Sequence, residues 1–325
     1  MKKVLISLFV LLLTGGILVG ASDLVIESKS QTYNESDNKI KFDGNVKVQV
    51  DDMKVVGDSA DVSMDGEQKP DTATFYDKPY AYEVKKNKKR EVKANILKVS
   101  LITKIIRAEG DTQSTVFDGK VPIIVINADV QEYDTQSGVM TATGGVTINY
   151  KELETFSNKA KIKTNKDGDL KDIELIGNAK IKDKSNTSIA DRFVYNAVTK
   201  ILNAYGNTTT TTTNDEGKKL VLKSSLQEYN QAKGLYNASG NVRVWYDDYY
   251  AVGPKISVFP DRKTGKPSLI FFTGRSSITQ GVRTIYADKI RMTIKPKSFT
   301  AVGNTRTVIK NIGSGDNDSG MGLGL

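Results

Sequence analysis

The residues in this chain that most resemble a chemical signature are a recurring pair, glycine then asparagine, set between small and β-branched residues. The pair reads "FDGNVKV" at 42–48, "IGNAKI" at 176–181, "AYGNTTT" at 204–210, "ASGNVRV" at 238–244 and "AVGNTRT" at 301–307, with "TATGGVTI" at 141–148 as a near variant. A glycine-rich turn can cradle phosphate with its backbone amides, but that chemistry needs a loop leading into a helix N-terminus. No G-x-x-x-x-G-K-[ST] run occurs in the chain. There is no histidine and no cysteine, which removes Ser-His-Asp and Cys-His nucleophiles, disulfides and nearly every zinc site. Acidic residues number 38, yet no carboxylate pair stands apart from the surface acids as an acid and base for glycoside cleavage. Neither an enzyme's catalytic residues nor a cofactor site emerges from these residue types.

The elements that carry the glycines repeat. Gly44, Gly110, Gly144, Gly177, Gly206, Gly240 and Gly303 fall on a ruler of about 33 residues. Asp77 in "FYDKPYAY" and Gly274 in "FFTGRSSI" fill the two double gaps, giving nine units. About 16 residues before each glycine stands a second mark: Ala60-Asp61, Ala94-Asn95, Ala128-Asp129, Ala160, Ala190-Asp191, Ser224-Ser225 and Ala287-Asp288. In several units it leads into an aromatic and a polar turn, as in "ADVQEYDTQSG" and "SSLQEYNQAKG". Each unit therefore reads as strand, turn, strand, and the chain as an all-β array of roughly 18 strands.

Helical repeats share this period but need apolar residues three and four apart. Here the spacing is two. Phe42, Val46 and Val48 share one parity, as do Met140, Ala142, Val146 and Ile148, and Ala238, Val242 and Val244. Alternation turns these toward a dry interior and sends Lys47, Lys180, Arg243 and Arg306 outward. The glycines lie on the inward parity, where a missing side chain lets a sheet bend. The seven prolines read as strand ends or loops. "EVKKNKKREVK" (83–93) reads as a solvated basic turn and "TTTTTTNDEGKK" (208–219) as a strand running into a hairpin loop. The tail 313–325 has no pattern and is expected to be disordered.

Residues 1–21, "MKKVLISLFVLLLTGGILVGA", have the layout of a signal peptide, with Val19 and Ala21 placed for cleavage before Ser22; an uncleaved membrane anchor is the alternative. Residues 22–312 form the array, which is expected to be exported. The net charge is +9, suggesting an anionic partner: a phosphorylated glycolipid, a membrane surface or nucleic acid. Export argues against nucleic acid, and a mildly basic surface also serves solubility alone.

The A-D-x-x-x-Y…G-N-V alternation after a leader resembles the OstA-like family of lipopolysaccharide-transport proteins, over roughly residues 24–310. That family includes LptA- and LptC-like periplasmic β-jellyrolls and the N-terminal domain of the outer-membrane translocon. The resemblance implies an elongated open jellyroll of antiparallel strands. It also implies a periplasmic location and a role in outer-membrane assembly. The partners it implies are lipopolysaccharide or a related anionic glycolipid, and other jellyroll subunits, or a second copy of this chain, joined end to end through terminal strands. The lipid-binding candidates are then the ten inward residues named above, with Lys47, Arg243 and Arg306 as headgroup contacts. Inward apolar residues of a β-sandwich are ordinarily core, and an exported β-solenoid of flat parallel ladders would account for the repeats equally well.

Overall fold

The computed structural model describes residues 25–310 except 51, 86–87, 151, 166–168, 214–216, 262, 265–266 and 295. The segments read as signal or anchor (1–21) and as tail (313–325) lie outside the described residues. The first strands are β1 (Val25–Glu27), β2 (Ser30–Asn34), β3 (Lys39–Val50), β4 (Met53–Met64), β5 (Pro70–Tyr76) and β6 (Tyr80–Lys85). β7 (Lys88–Lys93), β8 (Ile96–Ser100), β9 (Ile105–Asp118), β10 (Val121–Asp134), β11 (Val139–Tyr150) and β12 (Leu153–Thr164) follow. Next are β13 (Leu170–Lys182), β14 (Asn186–Asn196), β15 (Ile201–Thr213), β16 (Lys219–Asn230) and β17 (Leu235–Tyr246). The last are β18 (Tyr249–Pro260), β19 (Pro267–Gln280), β20 (Arg283–Thr293), β21 (Ser298–Val302) and β22 (Arg306–Ile309).

These 22 segments make eighteen full-length strands, because four neighbouring pairs are two halves of one interrupted strand. β1 and β2 both pair with β3, β5 and β6 with β4, β7 and β8 with β9, and β21 and β22 with β20. Among the described residues every pairing is antiparallel and joins chain neighbours, so the array is one long meander of roughly 80 Å at the usual strand spacing. Antiparallel pairing overturns the parallel-ladder solenoid, which needs crossover connections that the short hairpin turns cannot supply.

Each full strand is folded near its middle. The register slips there in ladder after ladder, between Asp43 and Val46, Thr143 and Val146, and Ser239 and Val242, for example. The bend brings opposite strand ends together. Lys88, at the start of β7, pairs with Asp169 beside the far end of β12, and the Arg90 guanidinium lies 4.4 Å from the Tyr133 ring centroid. A flat sheet would hold those residues far apart, so the meander is closed along the bend into two facing layers.

The two sequence marks meet at this corner. Gly144 and Gly145 have φ of +81° and +51°, and the same left-handed step recurs at each Gly-Asn and at Asp77-Lys78. A Cβ on Gly144 would collide with the Asp129 carboxylate, and one on Gly240 would lie 2.8 Å from Ser225. The amide of Asp288 donates to the Gly303 carbonyl at 2.9 Å, and the Asn304 side chain donates to the Asp288 carboxylate at 2.8 Å. The glycines therefore do not occupy inward slots, as their parity suggested. Two extra left-handed residues per bend restore the alternation, and the missing side chain faces the neighbouring strand.

Three further expectations change. In the fifth unit the mark is Ser157-Asn158 rather than Ala160, since Asn158 is the residue over Gly177. Pro254 sits inside β18, tolerated because the corner bulge between Val252 and Lys255 leaves no ladder bond for it to make. The basic run 83–93 is a strand hairpin, β6 with β7, rather than a solvated loop.

Gly144→Ala is expected to destabilise the protein by about 1–3 kcal/mol, combining a left-handed backbone with a steric collision. Gly66→Ala, where a methyl group meets nothing within 4 Å, is expected to change stability by less than about 0.5 kcal/mol. Urea denaturation of the two variants side by side measures the difference.

Candidate binding interior

The corner fixes which side chains face inward. All ten predicted interior residues are buried: Phe42, Val46, Val48, Met140, Ala142, Val146, Ile148, Ala238, Val242 and Val244, none more than 6% exposed. Alanines flank the fold line in direct register, Ala142 against Ala160 and Ala179 against Ala190, so the layers approach closely there. Phe75, Phe193 and Phe272 fill the interior farther along the array.

The apolar interior is not continuous. One cluster runs from Phe42 to Ala204 and a second from Leu222 to Met292. Between them lies a layer of hydrogen-bonded polar side chains. Thr208 donates to the Ser224 carbonyl at 2.8 Å, Thr210 donates to Gln227 Oε1 at 2.6 Å, and the Tyr236 hydroxyl bonds both Gln227 and Thr210. Burial pushes the Tyr236 phenol well above its ordinary pKa, so it stays neutral and hydrogen-bonding. "TTTTTT" thus does more than tolerate a strand: alternate threonines build this layer.

The same construction occurs once more, 96 residues earlier in the chain. Thr112 donates to the Ala128 carbonyl at 2.7 Å, Ser114 to Gln131 Oε1 at 2.5 Å, and Gln131 Nε2 to Thr112 and Ile126. Positions 112, 114, 128 and 131 map onto 208, 210, 224 and 227 at that constant offset. In each case a glutamine just past the corner on one layer reaches side chains of the other layer, bracing the angle between them. Near the first brace, Arg90 faces inward over Tyr133, with Glu83 3.9 Å away. Inward glutamines in "ADVQEYD" and "SSLQEYN" were the available sequence signal, hidden because alternation alone ranks them as breaks in the apolar face.

Opposite the corner the layers are clasped from outside. Lys297, in the turn before β21, pairs with Asp247 at 2.8 Å and with Asp248, and lies 4.3 Å from the Tyr249 ring centroid. Tyr249 meets Phe299 edge-on at 6.1 Å. Hydrogen bonds from Lys297 hold both aspartates below their usual pKa of 3.8.

The predicted outward cations are exposed, apart from half-buried Lys180, but not gathered. Lys47, Lys180, Arg243 and Arg306 each follow a corner glycine by three residues, forming a periodic row along the outer face. Lys47 lies 3.6 Å from Glu27, Lys180 sits over Phe156, and Arg306 over Tyr286. Among the described residues no group of three His, Cys, Asp or Glu side chains could hold a metal ion.

A corner-folded antiparallel meander with a buried apolar interior defines a β-jellyroll of extended type. The chain belongs to the family described as LptA/(LptD N-terminal domain) LPS transport protein, whose model matches residues 25–123 and 125–266. Its function is therefore in lipopolysaccharide transport. Among solved structures it is similar to LptH, described as the LptA-homologous periplasmic component of the lipopolysaccharide transport device of Pseudomonas aeruginosa. Identity is 12%, the TM-score 0.33, and the match covers 38% of this chain and 82% of that one. No curated protein matches.

Gln227→Leu is expected to cost about 1–3 kcal/mol by stripping partners from Thr210 and Tyr236. Adding Thr210→Val and Tyr236→Phe recovers most of the loss, a non-additivity read by denaturation of the single and triple variants. The clasp depends on pH. Its aspartates have lowered folded pKa values, so its stabilisation is present above 3.8 and is lost as the pH falls through the folded values below that. Hydrogen exchange at residues 246–249 should accelerate over that acid window, and Lys297→Met should weaken the dependence, leaving the part held by Lys218 on Asp247 and Gln280 on Asp248.

Proposed function

We propose that the protein is a periplasmic carrier that passively holds the acyl chains of lipopolysaccharide, or a related anionic glycolipid, between its two layers. The observation that carries this reading is the buried inward alternation of small and medium apolar side chains, in two stretches separated by a polar brace, along a meander of eighteen strands in a lipopolysaccharide-transport family. Each buried methylene contributes about 0.8 kcal/mol, so even partial insertion of a multi-chain lipid binds usefully. The ten candidates are buried among other side chains, so entry requires the layers to part. The exterior clasps are the contacts that would have to yield.

Such holding has no built-in direction, so vectorial movement requires an energy-coupled partner. Among the described residues the outer edges of β1–β2 and β21–β22 are the two ends of the meander, with Val25, Val302 and Ile309 exposed on them. An open strand edge invites strand addition. These edges support a bridge in which jellyroll subunits, or copies of this chain, join end to end between the inner and outer membranes. Lys47, Arg243 and Arg306 suit phosphate groups of lipid molecules lying against the outer face.

A photoreactive residue at Val146 is expected to capture lipopolysaccharide, whereas one at exposed Asn149 on the same strand is not. Capture from Asn149 alone, scored by mobility shift and lipid detection, would sink the interior-holding reading.

A further inference from the structure

The interior stretch between the two glutamine braces carries a feature that apolar packing does not account for. Among the described residues, three buried side-chain polar atoms have no hydrogen-bond partner: Arg90 Nη1, Thr155 Oγ1 and Ser157 Oγ. Arg90 is compensated by Glu83 and by the face of Tyr133. The other two are neutral hydroxyls on β12, two residues apart and therefore on the same face of the strand. Thr155 stands in register with Ile148 and Ile181, and Ser157 with Val146, so both hydroxyls sit among apolar neighbours.

Equivalent positions elsewhere sharpen the anomaly. Ser157 precedes the residue that covers a corner glycine; in other units that place is taken by Ala94, Ala128, Ala190 and Ala287, or by Ser28 and Ser224. Ser224 has partners, Thr208 at 2.9 Å and the Leu226 carbonyl at 3.1 Å. The counterpart of Thr155 in the unit of Asp191 is Ser188, which bonds Thr210 at 2.9 Å. At these places a hydroxyl is thus either replaced by carbon or bonded, Ser28 to the Ser30 carbonyl at 2.9 Å and Ser188 and Ser224 to brace threonines, except on β12. A buried hydroxyl without a partner costs about 1–3 kcal/mol, a penalty that apolar residues of the same shape would remove.

We propose that Thr155 and Ser157 form a hydrogen-bonding station inside the jellyroll for an oxygen carried part-way along an acyl chain, as a hydroxyl or a carbonyl. The station rests on the lipid-holding function proposed above and refines it by naming a chemical preference. Each hydroxyl can donate or accept, so either kind of chain oxygen is matched. A plain hydrocarbon segment at the same depth leaves both hydroxyls unpaired. The two hydroxyls lie on β12, with the braces of β9–β10 and β15–β16 on either side along the meander.

The test measures binding of stearic acid and of hydroxystearic and oxostearic acids with mid-chain oxygen, using the full chain and its Thr155→Val/Ser157→Ala variant. Wild type is expected to favour an oxygenated acid by about fivefold, the equivalent of one net hydrogen bond. The variant should bind all three acids alike, still take stearic acid, and unfold at a higher temperature than wild type when lipid-free. Equal binding of the acids by wild type, a preference that survives in the variant, or a lowered unfolding temperature would overturn the station alone. Failure of wild type to bind any of the acids would instead overturn interior lipid holding, and the station with it.

Discussion

The contact on which this structure depends is the approach of a strand's side chain to a glycine that has none. Where Asp129 crosses Gly144, or Ser225 crosses Gly240, a methyl group would meet the neighbouring strand. The left-handed pair at that point turns the chain without breaking the ladders on either side. Repeated at regular places across neighbouring strands, the contact folds a long meander along one line. Facing layers, buried alternation and an outer row of cations all follow from that line.

The interior is built from two kinds of cross-layer contact with opposite consequences. Alanine and valine approaches are non-directional, so the layers can slide or part with a cost proportional to the area exposed. The braces at Gln131 and Gln227 are directional and satisfied, and parting them strands donors and acceptors. Their spacing of three units means that compliance is distributed between fixed points rather than spread evenly. The bend also continues through Gly274 and Gly303, beyond the last residue matched by the family model.

Most of the architecture was legible in the sequence because it is periodic. Glycine spacing gave the units, alternation gave the buried face, and Asp77 was located by the ruler despite lacking a glycine. The strand total also follows, since the four broken strands are interrupted only at the corner. What alternation could not convey was three-dimensional. The parity of the glycines misled, because two left-handed residues cancel in the count while rotating the missing side chain sideways. The braces escaped notice because Gln131 meets Ser114, and Gln227 meets Thr210, only when the layers face one another. The unpartnered state of Thr155 and Ser157 is likewise a property of the folded interior. The cations were placed correctly as outward, but their gathering into a site required proximity that a periodic row does not supply.

Among the described residues each full strand bonds only to the one before and the one after it, with no distant closure. Contacts of that kind have short sequence separation, which lowers the entropy lost before the first ladders form. Structure can therefore propagate hairpin by hairpin from any nucleated unit, as in other linear arrays, and a finished unit need not wait for the chain terminus. A polypeptide delivered end-first could acquire its cross-section while still being delivered, and a damaged end would unravel locally rather than bring down the whole.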